Sequence, residues 1–341
     1  MKHSIFLYII LITLLASLYP LQPIHATSPL KEPMPQDVTI QDDAYHPTKL
    51  PRTEWWYFDA SLNDNYSIQT NVRITTTLLR GTVSVRLELY KDGIQIVENH
   101  TRALLTRLNA STTEPNVSID GQQLIHGTYN ATRDAYDYDL TLGGTGLNFT
   151  LHYTGRTKGW KIVRAHNDSW AVMSPRADVT GTIHYRGITL NVTGRGYHDH
   201  NWGIGPKKII PYGWYWGKLN SDNYTLTWSA LLSTRETDTK IAVENTLDGG
   251  YTAYTQNQIW FKPSAFVWNH GHRIPTHFFI SIQTPQEMSV FHCNAETVHY
   301  QNYLGFINYW RYHLHNTGTF TYGIQTEYVN ETTIGEFTQF R

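Results

Sequence analysis

Two short segments of this chain carry the residue types that could do chemistry. The first is Glu54-Trp-Trp-Tyr-Phe-Asp59. In an extended strand successive side chains point to opposite faces. Glu54, Trp56 and Phe58 therefore share one face, and Trp55, Tyr57 and Asp59 share the other. A carboxylate beside Trp and Phe is costly to ionise if that face is interior, because desolvation disfavours the charged form. Glu54 is then either an acid with a raised pKa or one half of a structural pair, held by a cation or a backbone N–H.

The second segment is Gly194-Arg-Gly-Tyr-His-Asp-His-Asn-Trp-Gly203. Gly194, Gly196 and Gly203 permit close backbone approach or positive φ. Between them His198 and His200 share one face of a strand and Asp199 takes the other. Tyr197, Asp199 and Asn201 are placed to orient the histidines from outside. His-x-His is also a metal-ligand spacing, and it recurs at His270-Gly-His272 and His313-Leu-His315 among 17 histidines. No third ligand sits at a spacing that completes a site, so no metal is expected. Glycine-rich phosphate loops, the dinucleotide fingerprint and the Gly-x-Ser-x-Gly elbow are missing as well, and no cofactor is expected.

The elements that must position these segments are strands. Thr82–Tyr90 alternates polar with apolar residues along most of its length, and Tyr66–Ile74 repeats the pattern. That period places one face inward and the other in water, as in antiparallel sheets. Lys91-Asp-Gly93 reads as a hairpin turn. Similar runs cover 136–142, 147–153, 182–192, 212–219, 224–232, 278–283 and 320–328. No amphipathic helix of more than a few turns is visible. Many short strands with no helices between them indicate an all-β sandwich or closed barrel. The 341 residues exceed one barrel, so the sequence reads as two consecutive antiparallel barrels. The expected division is a linker at 27–50, one domain over 51–180 and a second over 181–341, split after the irregular stretch 165–178. Trp214, Tyr215 and Trp216 read as barrel wall, with one of them at the ligand site, and Arg195 as a surface ion pair.

Composition bounds the partners. Lys plus Arg is 27 and Asp plus Glu is 28, with no basic run, which speaks against nucleic acid. Charged residues are 16% and aromatics 13%, suiting an aromatic-lined interior rather than a disordered chain. Residues 1–26 read as a secretory signal: Lys2 and His3, an apolar run over 5–18, then a cleavage site after Ala26. The alternative is an uncleaved anchor, since the run approaches the ~20 residues that span a bilayer. Sequons begin at Asn65, Asn99, Asn109, Asn116, Asn130, Asn148, Asn167, Asn191, Asn223 and Asn330, which fits export to the cell surface or beyond. Cys293 is the single cysteine, so no intramolecular disulfide forms.

Glu54-Trp-Trp-Tyr-Phe58, together with Gly196-Tyr-His-Asp-His-Asn-Trp-Gly203 and Tyr212-Gly-Trp-Tyr-Trp-Gly217, resembles the hydroxyneurosporene synthase (carotenoid 1,2-hydratase), or AttH-like, family. The resemblance runs over about residues 45 to 335. It implies two consecutive lipocalin-like barrels around an apolar cavity, cofactor-free chemistry and a hydrophobic isoprenoid or polyene substrate. The implied reaction is acid catalysis: an acid protonates the alkene, aromatic faces stabilise the cation, and a base activates water. On that pattern His200 handles protons and Trp202 faces the cation, with Glu54 as supporting acid. Trp55, Trp56, Tyr57, Tyr197, His198, Asp199, Asn201, Trp214 and Trp216 would bind the ligand. The chain departs from the family in one respect. The carotenoid hydratases carry a Tyr and an Asp on a later strand, where this chain has Thr225-Leu-Thr-Trp-Ser-Ala230 without a carboxylate.

Three functions are open to such a sequence. One is a hydratase or cyclase of isoprenoid or polyene double bonds. Another is a non-catalytic lipocalin-like carrier of a hydrophobic ligand at the cell surface, associated with the membrane if the N-terminal segment stays in place. The third is a carbohydrate-binding protein, which lacks the carboxylate pair that hydrolysis would need.

Overall fold

The structure is a computed structural model that describes residues 33–48, 51–77, 80–164, 168–204, 213–232, 237–247, 249–303, 305 and 307–340. The expected signal segment 1–26, the Asn167 sequon and Tyr212 lie outside the described residues.

Among the described residues, antiparallel strands make two sheets, thirteen strands between Gln36 and Ile204 and nine between Gly213 and Phe340. They curl into a nearly closed barrel and a half-barrel, the two-barrel all-β architecture that the alternation implies. Only short 3-10 turns interrupt the strands among the described residues, and no helix there is long and apolar enough to cross a membrane.

Near the middle of the first sheet the two motif strands, Arg52–Leu62 and Ile188–Ile204, lie side by side. Their register sets His198 opposite Phe58, His200 opposite Trp56 and Asn201 opposite Trp55. Gly194 makes this pairing possible, since a Cβ there would run into the backbone carbonyl of Ser61. Gly203 has φ +82° and sits where the register shifts between Asn201 and Ile204, a backbone state that only glycine adopts cheaply.

The division expected near residue 180 needs correcting. Position 180 lies inside the Asp168–Tyr185 strand, which pairs with Ile188–Ile204 in the first sheet. Hydrogen bonding passes to the second sheet between Ile204 and Gly213. The loss of alternation over 165–178 that suggested a boundary has a local cause. Register shifts fall between Val172 and Ser174 and between Ser174 and Ala177. Each bulge adds a residue and reverses which side chains face inward.

The linker expected over 27–50 also needs correcting. Its described part contains a strand at Gln36–Asp37, a 3-10 turn at Ile40–Asp43, and Asp43 and Ala44 fully buried. Prolines and the absence of a period suggested a solvated tether. Instead the segment is fixed to the first sheet by polar bonds such as Asp43 to His198, with Val38, Ile40 and Tyr45 packed against its core.

The apolar interior forms three clusters. One fills the first barrel with Trp56, Phe58, Ala60, Tyr138, Tyr153 and their neighbours. A second fills the other sheet around Phe278, Phe291, Trp310 and Tyr312. The third lies between the sheets and contains Tyr57, Tyr197, Trp170 and Trp216, with Trp55 and Trp214 at its margin.

Candidate functional site

Alternation sends the motif side chains to two separate places. The even-numbered set enters the first barrel and meets the N-terminal segment. His200 Nε2 donates to Glu54 Oε1 at 3.2 Å, and His200 Nδ1 faces the Asp42 carbonyl at 3.0 Å. Glu54 also accepts the His46 backbone N–H at 2.9 Å and pairs with the Arg52 guanidinium at 2.7 Å. His198 Nε2 lies 2.9 Å from Asp43 Oδ2, and His198 Nδ1 lies 2.9 Å from the Tyr57 carbonyl. Rings close the remaining space. His200 stacks on Trp56 at 4.5 Å, His198 on Phe58 at 3.8 Å, and His46 on Trp202 at 4.0 Å.

The electrostatics follow from that geometry. Burial by itself would raise the Glu54 pKa, but hydrogen bonds from His200 and His46 and the charges of His200 and Arg52 outweigh it and hold the carboxyl down at about 2. Burial would likewise depress His200, yet the bond and charge of Glu54, with Asp43 and the Asp42 carbonyl, raise it. Of the two states open to Glu54 in the sequence, the structure holds the paired one.

Glu54, His200 and His46 also bring ligand atoms within 4.8 Å of one another, a spacing that a metal could bridge. The Glu54 oxygens are already committed to Arg52, His200 and the His46 N–H. A divalent ion would have to displace the His200 proton beside the Arg52 charge, so the residues fit the ion pair better than a metal. The other His-x-His pairs do not converge here. His313 bonds Ser67 at 2.8 Å across the sheets, and His270 stacks on Tyr300 at 4.1 Å.

The odd-numbered set faces the second sheet. Asp199 is its centre and is 6% exposed. Tyr197 Oη donates to Asp199 Oδ2 at 2.8 Å, Trp170 Nε1 donates to the same oxygen at 3.1 Å, and Asn201 Nδ2 donates to Oδ1 at 2.8 Å. Burial pushes this carboxyl up to about 7, against the lowering by the Tyr197 and Trp170 donors. Beside it, Lys218 Nζ pairs with Asp59 Oδ2 at 2.7 Å, and Tyr57 Oη donates to that same oxygen at 3.0 Å. The Lys218 ammonium also lies 5.0 Å from the centroids of both Tyr197 and Trp216.

Trp216 crosses the gap from the Gly213–Asn220 strand, 5.1 Å from Tyr197 and 5.9 Å from Tyr57 between ring centroids. Trp55, Asn201 and Trp214 are only half-buried, at the margin of the group around the buried Asp199. Tyr215, between the two tryptophans, turns the other way into the core of the second sheet. Arg195 is an outlying group, 3.7 Å from Glu331 and partly exposed.

Sequence reasoning missed Asp43, His46 and Arg52 on the barrel side, and Asp59, Lys218 and Glu336 on the sheet-to-sheet side. For Asp59 the alternation rule was already sufficient, since it shares a face with Trp55 and Tyr57. Lys218 follows by the same rule from Trp214 and Trp216.

Two cavities of about 140 and 410 Å³ lie away from both groups, the first lined by Val83, Val85, Ala103 and Ile119 among others, the second by Lys240, Ile259, Trp260 and Phe279 among others.

No family model matches the chain. It is 24% identical over 236 residues to the quinolone epoxide rearrangement protein asqO of Emericella nidulans, which covers 62% of each chain, so the match spans less than two thirds of that relative. Among solved structures it is similar to an AttH assignment from Nitrosomonas europaea, at 15% identity and TM-score 0.63 over 95% of this chain and 100% of that one. Kievitone hydratase from Nectria haematococca aligns at 12% identity and TM-score 0.56, over 89% of this chain and 93% of its own. CghA with Sch210972 aligns at 10% and 0.58, over 85% of this chain and 88% of its own. At these identities the likeness establishes the lipocalin-like double-barrel fold.

Proposed function

We propose that the protein is an acid catalyst for hydrophobic unsaturated small molecules, a hydratase, isomerase or rearrangement enzyme working between its two sheets. One observation carries the reading: Asp199 is a buried carboxyl with a pKa of about 7, set among Tyr57, Tyr197, Trp170 and Trp216. A carboxyl that is half protonated near neutral pH is matched to general-acid work. It can protonate an alkene or an epoxide oxygen, and the surrounding ring faces lower the energy of the cation that results. Lys218 already holds a positive charge against two of those faces.

The division of labour follows from this. Asp199 is the acid, Trp55, Tyr57, Tyr197, Asn201, Trp214 and Trp216 shape the substrate space, and the Lys218–Asp59 pair positions the two tyrosines. His200, Glu54 and Trp202, with His198 and Trp56, fasten the N-terminal segment to the barrel. The reading is in keeping with the names of two similar proteins, a quinolone epoxide rearrangement protein and a kievitone hydratase. Carotenoid 1,2-hydration is the narrower form of the proposal. Export is proposed with it, on the apolar segment 5–18 and the sequons.

The test incubates the protein in D₂O with three probes, 4-prenylphenol, trans-stilbene oxide and β-carotene, followed by mass spectrometry of the extract. Conversion of a probe, with deuterium bound to carbon when the probe is an alkene, is the expected result. Probes that bind but return unchanged would favour a carrier. That second reading draws on the cavity of about 410 Å³ where Ile259, Trp260 and Phe279 face a rim of Lys240 and the neutral polar Gln256, Asn257, Gln258, Ser281 and Gln283.

A further inference from the structure

We propose that Glu336, on the second sheet, is the base that completes the reaction Asp199 begins, so that the active site takes its acid from one sheet and its base from the other. The inference rests on the reading of Asp199 as the acid.

Glu336 lies on the Gln325–Phe340 strand, directly opposite Trp216 on one side and Arg311 on the other. Trp216 points into the aromatic space beside Asp199, and in an antiparallel pair residues directly opposite one another project from the same face. Glu336 therefore faces Asp199's side of the gap. Its negative charge reaches Asp199, Tyr57 and Tyr309 and disfavours ionisation of each.

Its carboxylate is held by two neutral donors. Trp214 Nε1 donates to Oε1 at 2.7 Å, and Tyr309 Oη donates to Oε2 at 2.6 Å. Each oxygen thus keeps a further acceptor direction, because a carboxylate oxygen carries more than one lone pair. The neighbouring Arg311 donates to Tyr90 at 2.8 Å and Tyr309 at 3.0 Å and pairs with Glu88 of the first sheet, and its charge reaches Glu336 without a direct ion pair. Among the described residues no ion pair engages Glu336. The residue is half-buried and lies next to the half-buried Trp214, on the solvent side of the site. That is where a water molecule would enter.

For a hydration the steps balance. The alkene takes the proton of the Asp199 carboxyl, forming a C–H bond and leaving a carbocation and a carboxylate. Water attacks the cation, and Glu336 accepts the proton released as the C–O bond forms. Exchange with solvent returns Glu336 to the carboxylate and Asp199 to the acid. For an isomerisation Glu336 takes a proton from the carbon next to the cation instead.

Two measurements on the full chain test this, using Glu336→Gln and Asp199→Asn. The first needs no substrate. Infrared spectroscopy follows the carboxyl band of Asp199, identified by its loss in Asp199→Asn, through a pH titration. Asp59, Lys218, Tyr57, Tyr197, Arg311 and Glu336 are the charged or titratable groups around it. Glu336→Gln removes a repelling charge and should move the Asp199 midpoint to lower pH. An unmoved midpoint overturns the proposal, because the two carboxyls then do not share one space.

The second measurement is turnover of 4-prenylphenol beside its binding, read by quenching of tryptophan fluorescence. Glu336→Gln should bind within about twofold of wild type and lose on the order of 10²-fold in turnover. Wild-type turnover in Glu336→Gln alongside a dead Asp199→Asn overturns the base and leaves the acid standing. Wild-type turnover in both removes the acid reading itself.

Discussion

Replacing Glu54 with Gln separates a structural ion cluster from a catalytic acid. Glu54 is fully buried and faces Arg52 at 2.7 Å and His200 at 3.2 Å. Its pKa is lowered from 4.5 to about 2, and at about 1.4 kcal/mol per unit this amounts to roughly 3 kcal/mol of stability at neutral pH. Gln keeps the shape and an acceptor oxygen but leaves Arg52 and His200 without their counter-charge. Breaking a buried pair from one side costs about 3–5 kcal/mol, so the two routes agree on the size. Urea unfolding followed by tryptophan fluorescence at pH 7 should show Glu54→Gln less stable by roughly 3 kcal/mol.

The pH dependence has a definite sign. The native carboxyl is the stronger acid, so the unfolded chain binds the proton first as pH falls. The Glu54 contribution is whole above about 4.5 and drains away toward about 2. Glu54→Gln should lack that acid limb. A variant within about 1 kcal/mol of wild type at pH 7, with turnover abolished, would refute the reasoning and return Glu54 to the chemistry.

Asp199→Asn should act oppositely on stability. The native pKa of about 7 stands above the ordinary 3.8, so the folded state holds its proton while the unfolded state has lost it. Wild-type stability should therefore decline as pH rises from about 4 to about 7, and thermal unfolding of Asp199→Asn should show this decline flattened. Gly194→Ala would push a methyl group into the Ser61 carbonyl, a backbone atom that no rotamer change can move aside. A loss of about 1–3 kcal/mol is expected, read from the urea midpoint.

Alternation made the strand-rich fold legible, and with it the parting of His198 and His200 from Asp199. The meeting of Phe58 with His198, 140 positions apart, was not legible. Nothing local specifies which strand closes a sheet beside which. The boundary near 180 misread two bulges as a break, because a bulge erases the period-two signal without ending the strand. Asp43 was hidden for a different reason. Its partner His198 is 155 residues away, and a buried polar contact leaves no hydrophobic pattern behind it. The site between the sheets needs both halves of the chain. Tyr57, Asp199 and Trp216 were visible one by one, but their shared space depends on how two sheets pack.

The central claim, that protons enter the substrate from Asp199 rather than from His200 and Glu54, is tested most directly by one comparison. Wild type and Asp199→Asn are incubated in D₂O with 4-prenylphenol, and carbon-bound deuterium is counted by mass spectrometry, with each protein confirmed folded by its thermal transition. The account predicts that wild type introduces deuterium and that Asp199→Asn is slower by on the order of 10²-fold or more. A folded Asp199→Asn that labels the probe at the wild-type rate would contradict it.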